Sequence, residues 1–377
     1  MGEHLYVAAE ALTDESAEYL QSQLITYIGN KRALLPFIGQ GIARVKQRLS
    51  KHRLACLDLF SGTGVVARFM KQHSSRLVAN DLELYSEITN RCYLTNPAGV
   101  DLRELTDAHR QLQEEIARNW TRGFIAELYA PASDDDIRPG ERAFYTRRNA
   151  EYLDTARQQI ARLPRNIQHF FLAPLLAKAS VHANTSGVFK GFHKSRDGIG
   201  RFGGHGQDAL SRITKEIEIE SPVFSRFSCE VSVVRHDANE LLSQRDCGEF
   251  DLAYLDPPYN QHPYGSNYFM LNLLASYERP ADMSEVSGIP AGWNRSRYNR
   301  RREAEAALLE VVERCPAKFV MVSYNSEGFI PHARFLEIMK RNGELSVLET
   351  PYNVFRGSRN LGNRSKHVTE FLYLLEK

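Results

Sequence analysis

The sequence predicts an α/β fold: a doubly wound parallel sheet, closed by an antiparallel hairpin and interrupted by a mostly helical insertion. Three observations point there. Short apolar runs that end on an acid alternate with helix-compatible stretches; a glycine turn follows the first of these runs; and no strand pattern breaks the helical periodicity between about Asn96 and Phe227.

In order along the chain, LACLDLF (54–60) is a short apolar run through Asp58, followed by the turn SGTG and the helix-compatible VVARFMKQH. RLVAND repeats the pattern and ends on Asp81, with a helical stretch near Ser86 to Leu94. Next come three helical patterns, LRELTDAHRQLQEEIARNW, YLDTARQQIARL and IQHFFLAPLLAKAS, and a glycine-rich basic loop. Strands resume with CEVSVVRHD, FDLAYLD and KFVMVSY. LSVLETPY and VTEFLYLLE then read as a hairpin around the polar segment NVFRGSRNLGNRSKH. Seven strands result, with a large insertion between the second and the third.

A chain of 377 residues, 42% apolar and 25% charged, can bury a sizeable core. Its 48 basic against 46 acidic residues give +2, so overall charge announces no polyanionic partner and local clusters must decide. Cys56, Cys92, Cys229, Cys247 and Cys315 lie far apart without paired spacing, which predicts reduced thiols and neither a metal site nor a disulfide framework. The acidic N-terminal segment lacks a basic start and an apolar run, and no run reaches membrane-spanning length, so a cytoplasmic protein is expected.

In DLFSGTG, Gly62 and Gly64 fall in the turn after the first strand, where a missing side chain lets backbone approach a ligand. Asp81, at the end of the second strand, stands where an acid can accept both hydroxyls of a ribose. A third glycine and a GKS or GKT sequence are lacking, which argues against a pyrophosphate cradle. A tight turn between surface acids would explain this piece alone. DLFSGTG followed by AND resembles the S-adenosylmethionine site of methyltransferases. That resemblance implies that Asp58, Phe60, Gly62, Gly64 and Asp81 hold the cofactor, in a Rossmann-like methyltransferase sheet.

DLAYLDPPYNQHPYG (251–265) runs a strand into an acid, two prolines and a tyrosine. An exocyclic aromatic amine is a poor nucleophile because its lone pair is delocalised into the ring. Two acceptors aimed at its hydrogens favour a pyramidal nitrogen with a localised pair. Asp256 supplies one acceptor and the Pro257 carbonyl the other, with little backbone freedom left to lose. Tyr259 offers a face for a planar base, a stack of about 1–3 kcal/mol. A strand end with a proline turn would account for a lone PPY. DPPY in this order resembles the motif of amino-methyltransferases, and DPPYNQHPYGSNYFMLN that of DNA adenine-specific methyltransferases of the Dam-like class, in which the cofactor motif precedes the catalytic one.

ITYIGNKRALLPFI (25–38) resembles the element that completes the cofactor site in that family. By that resemblance Tyr27, Gly29 and Asn30 lie near the cofactor and Lys31 near the target base; an ordinary helix start is the alternative. In HDANELL, Asp237 ends the third strand, where the family's acid accepts from the cofactor's adenine amine, and a helix N-cap is the competing role. The closing strands also resemble the family's. The resemblance spans residues 24–95 and 230–377. It implies a catalytic domain of 24–96 plus 230–377, with 97–229 as an inserted target-recognition region.

Four basic and aromatic segments, RAFYTRRN (142–149), FKGFHKSRDGIGRFGGHG (189–206), NRSRYNRRR (294–302) and RGSRNLGNRSKH (356–367), read as candidate DNA contacts, although solvated surface would explain any one of them. His182, His193 and His205 have no ligand spacing and read as polar loop residues. The expected activity is transfer of a methyl to the exocyclic amine of adenine in double-stranded DNA, on a base rotated out of the duplex. By resemblance it would act beside a separately acting restriction endonuclease. Methylation of RNA or of a protein glutamine amide, cytosine's amine as target, and an idle DNA-binding module are the alternatives. A ring-carbon cytosine methylase would need a Pro-Cys pair, which the sequence lacks.

Overall fold

The computed structural model describes residues 15–244, 248–353 and 367–377. The basic segment 356–367 and Cys247 therefore fall outside the described residues, apart from the backbone of residue 367. Seven strands form one sheet: β1 Leu54–Asp58, β2 Ser74–Asp81, β3 Glu230–Arg235, β4 Phe250–Leu255, β5 Ala317–Asn325, β6 Glu344–Asn353 and β7 His367–Glu376. Their order is β3-β2-β1-β4-β5-β7-β6. β1 to β5 run parallel, while β7 lies antiparallel between β5 and β6. The sheet and its closing hairpin agree with the sequence reading.

Near-continuous apolar runs in β1 and β4 reflect burial on both faces. Alternate residues go to opposite layers. Cys56, Leu77, Leu252 and Tyr254 belong to one core, and Leu57, Val78, Ala253 and Leu255 to the other. The second core is closed by the helices Ala304–Arg314 and His332–Lys340.

The insertion is helical among its described residues, with its main helices at Leu102–Arg118, Arg147–Ile160 and Gln168–Val181. Asp101 caps the first by accepting from the Arg103 and Glu104 N–H groups, and Thr146 caps the second through the Asn149 N–H. Gln168–Val181 is apolar nearly all round and correspondingly buried, packing on the helices Leu84–Tyr93 and Phe269–Ser276. Phe171 and Leu175 thus share one core with Tyr85, Tyr93 and Leu271, and the insertion is built onto the sheet's first face.

The N-terminal segment is fastened from below by Arg68. This fully buried guanidinium donates to the carbonyls of Tyr19 and Ser22 and lies 3.6 Å from the Tyr93 ring centroid. From there the chain crosses the sheet's end and enters the helix Leu35–Leu49. A Cβ on Gly41 of that helix would stand 2.5 Å from Met321 Sδ and 2.9 Å from Leu372 Cδ2, so glycine permits close approach to β5 and β7. Gly41→Val is expected to lower stability by about 1–3 kcal/mol through overpacking, measured as the urea midpoint at unchanged slope.

Candidate active site

β1 and β4 pair with Asp58 opposite Tyr254, so Asp58 and Asp256 reach the same edge of the sheet. The strand order reverses between them, and a crevice opens at their carboxyl ends. It encloses about 910 Å³ of space, part of it open to solvent. Asp58, Phe60, Gly62, Asp81 and Asp237 line its inner wall, while Tyr27, Asn30, Lys31 and Asp256 line the wall nearer the proline turn.

The glycine turn is tied to the second strand. Gly62, at φ +52°, donates its N–H to Asp81 Oδ2 at 2.7 Å, and Asp81 Oδ1 accepts from the Glu83 N–H at 2.9 Å. Each carboxylate oxygen keeps a further lone pair. Gly64 does not line the crevice; a Cβ there would stand 2.5 Å from Asn90 Oδ1, so this glycine, at φ +77°, starts the helix Val65–Lys71 close against its neighbour. Asp237 Oδ1 caps the helix Ala238–Gln244 by accepting from the Asn239 and Glu240 N–H groups. The N-cap role is made, and the residue also faces the crevice.

Asp58 is fully buried, and neither of its oxygens completes a hydrogen bond. Burial raises its pKa to about 8, opposed by the nearby Ser61 hydroxyl and Phe60 N–H, neither of which completes a bond to it, and supported by the charges of Asp256 and Asp81. A carboxylate so placed suits a cationic donor arriving from outside.

Residues 24–31 form a strap over the other wall. The Thr26 N–H donates to Ser180 Oγ of the insertion, the Ile28 N–H to the Tyr268 hydroxyl at 2.7 Å, and the Tyr264 hydroxyl to the Ile28 carbonyl at 3.3 Å. Tyr27 stacks on Tyr268 and Tyr264, with ring centroids 4.4 and 4.8 Å away, and shares a hydrogen bond with the Tyr85 hydroxyl. After Gly29, at φ +78°, the strap turns inward and buries Lys31, whose Nζ lies 3.1 Å from Asp256 Oδ1. Burial alone would depress the Lys31 pKa, but Asp256, Glu370 and two tyrosines more than reverse this and keep the ammonium charged. For Asp256, its side chain 20% exposed, desolvation pushes the pKa up to about 6, with Lys31 opposing and Glu370 adding to the rise.

Pro257 is buried beneath the wall and Pro258 lines it. Tyr259 lies beside the crevice lining. Its ring centroid is 5.9 Å from Lys31 Nζ and 5.9 Å from Tyr324, which it meets edge-on, and its carbonyl accepts from the Phe329 N–H.

Several lining residues were not singled out from the sequence. Glu83 is buried, with a pKa raised by burial to about 7, and accepts from Asn272 and Asn294. Asn294, Ser296, Tyr298 and Asn299 belong to the segment read as a candidate DNA contact; they also line the crevice, while Arg297 and Arg300 beside them pair with Glu310 and Glu303 and Arg295, Arg301 and Arg302 stand exposed. RAFYTRRN is partly engaged within the fold. Arg142 donates to the Leu128, Ser284 and Glu285 carbonyls, Arg147 pairs with Glu151, and Arg148 with Glu216. In 189–206 Lys190, Arg196 and Arg201 stand exposed. That loop abuts the helix that follows the proline turn, Tyr264–Asn267, through the Phe189 N–H on the Asn267 carbonyl at 2.7 Å.

The family model described as D12 class N6 adenine-specific DNA methyltransferase matches residues 27–286, from the strap through the proline motif. The chain belongs to that family. This methyltransferase is 28% identical to the type II methyltransferase M.NlaIII of Neisseria lactamica, over 94% of its own length and 99% of that protein's. It is 25% identical to the type II methyltransferase M.CviAII of Paramecium bursaria Chlorella virus 1, over 93% and 98%. The modification methylase StsI of Streptococcus sanguinis is 26% identical over 93% of this chain, which spans 52% of that longer relative. The enzyme's reaction is methylation of adenine N6 in DNA, and the RNA, glutamine-amide, cytosine-amine and idle-module readings give way to it. Among the described residues no helix is long and apolar enough to cross a membrane, and no cluster of three acidic, histidine or cysteine side chains could hold a metal ion.

Asn294→Ala removes the bond that ties segment 293–299 to Glu83. Faster amide hydrogen exchange is expected in that segment alone, with the rest of the sheet protected as before.

Proposed function

We propose that the crevice binds S-adenosylmethionine and that Asp256 and the Pro257 carbonyl orient the N6 amine of an adenine turned out of double-stranded DNA. The observation that carries this reading is the Asp58 carboxylate, buried with both oxygens unsatisfied, in the same crevice as Asp256. An ammonium of an amino-acid group answers its two open acceptors, ribose hydroxyls suit the remaining lone pairs of Asp81, and an exocyclic amine suits the second oxygen of Asp237. Phe60, Tyr27, Asn30 and Gly62 complete the wall, while Gly64 supports the turn from outside it. Bound there, the cofactor supplies an electrophilic methyl.

The remaining work belongs to the chain. Asp256 and the Pro257 carbonyl accept the amine's two hydrogens and localise the nitrogen's lone pair. Lys31 fixes the Asp256 carboxylate, and Tyr259 offers its face to the base. The exposed basic loop 189–206 runs beside this corner and suits a phosphate backbone, and the inserted region 97–229 is the candidate for target recognition. M.NlaIII and M.CviAII are type II methyltransferases; by that likeness the enzyme modifies a specific sequence in the cytoplasm, with a cognate endonuclease acting separately.

Asp256→Asn is expected to slow single-turnover methyl transfer by about 10²–10³-fold or more, while cofactor affinity by calorimetry stays within a few-fold. In the unmutated enzyme the Asp256 carboxylate must be ionised to accept. Because its pKa is raised to about 6, the transfer rate should be level above pH 7 and fall tenfold per unit below about pH 6. Asp58, raised to about 8, is largely protonated in the free protein at pH 7. Cofactor binding between pH 6 and 7.5 should therefore release a proton and tighten as pH rises. Titration calorimetry in buffers of different ionisation enthalpy measures this, and binding without proton release would refute the Asp58 role.

A further inference from the structure

One carboxylate in the catalytic corner has no task in the reaction as described. Glu370 stands on β7, 3% exposed, and its Oε2 makes no hydrogen bond. That oxygen lies 4.0 Å from Lys31 Nζ, on an ammonium whose nearer partner is Asp256 Oδ1 at 3.1 Å. We propose that Glu370 is a positioning residue for methyl transfer: by sharing the Lys31 ammonium it keeps Asp256 a strong acceptor for the target amine and leaves the Lys31, Asp256 and Glu370 group with one net negative charge. The inference rests on the assignment of Asp256 given above.

The chemistry requires something of this kind. A buried lysine paired with Asp256 alone would form a neutral couple and draw the carboxylate's charge toward Oδ1, away from the oxygen left for the amine. During transfer the nitrogen's lone pair enters its new bond to carbon, the leaving sulfur keeps the electrons of the bond that breaks, and positive charge arrives on N6. One N6 proton then leaves to Asp256 and on to water. A corner carrying −1 stabilises that arriving charge where a neutral corner would not. The second carboxylate also makes the first more basic, and a more basic carboxylate is the better acceptor.

Asp256 is faced by Lys31 from the strap, Asp58 from the end of β1, Tyr254 from its own strand, Tyr259 and Tyr264 from the turn and helix that follow, and Glu370 from β7. Of these, Lys31 and Glu370 dominate its titration after burial, and they act in opposite directions. Removing Glu370 has a signature that loss of structure does not share: Asp256 becomes easier to ionise while the enzyme becomes slower.

Glu370→Gln and Glu370→Asp are compared with the unmutated enzyme and Asp256→Asn, all as full chains. One readout is single-turnover methyl transfer to an unmethylated duplex from pH 5 to 9. The other is carbon-13 titration of aspartate carboxyls, in which Asp256 is the resonance missing from Asp256→Asn. For Glu370→Gln the acid limb and the Asp256 resonance should both move down by about one pH unit, and the rate at pH 8 should fall about tenfold at unchanged cofactor affinity. Glu370→Asp should restore most of the rate. Should the glutamine variant not fold, the aspartate variant carries the test by a smaller shift in the same direction. An unmoved limb and resonance in a folded Glu370→Gln, with Asp256→Asn inactive, overturns the inference alone; full activity in Asp256→Asn overturns the reading of Asp256 and the inference with it.

Discussion

The parallel pairing of β1 with β4 is the constraint on which the rest of the site depends. Because Asp58 stands opposite Tyr254, an acid that ends one strand and an acid that follows the other meet at one edge, although nearly two hundred residues separate them. β2 and β3 then add Asp81 and Asp237 on one side of the reversal, while β5 and β7 build the opposite side. Burial at such an edge resists ionisation and raises Asp58, Asp81 and Asp256, and for Asp58 and Asp256 the charge of neighbouring carboxylates adds to the rise. Cations brought from elsewhere, the chain's own Lys31 or a ligand's, relieve that crowding.

The strand ends were legible because each carries its own local signal: an apolar run, an acid, then glycine or proline. That signal identified Asp58, Asp81, Asp237 and Asp256 and ordered them correctly. It could not identify Glu83, Asn294 or Tyr264, which reach the crevice only through side-chain contacts across long sequence separations. Glu370 was hidden for a related reason. The hairpin pattern predicted that β6 and β7 pair, but pairing alone does not say which of the two lies against β5 and so brings its residues near Lys31. Residue type did not reveal a second role of NRSRYNRRR, where arginine density suggested a nucleic-acid contact and Arg295, Arg301 and Arg302 do stand exposed. The structure pairs Arg297 and Arg300 with nearby acids and turns the neutral residues between them toward the crevice.

The insertion shows how a sequence break can differ from a structural one. Its helical pattern interrupts the alternation of strand and helix, which suggested a region set apart. Yet Phe171, Leu175 and Leu176 complete the core that Tyr85, Tyr93 and Leu271 begin, and Ser180 holds the strap. The same helices that extend the molecule also fix one wall of the crevice. A change that loosens their packing would therefore be felt at Tyr27 and Lys31.

The position of β7 has a kinetic side. β5 carries the apolar run Phe319–Val322, and the edge of that strand facing away from β4 is covered by β7 alone. β7 must thread between β5 and β6, so a partly folded molecule with β6 in the wrong slot, or with the hairpin undocked, presents a bare hydrophobic edge that another molecule could extend. Closure of the hairpin covers that edge and at the same time brings Glu370 to Lys31.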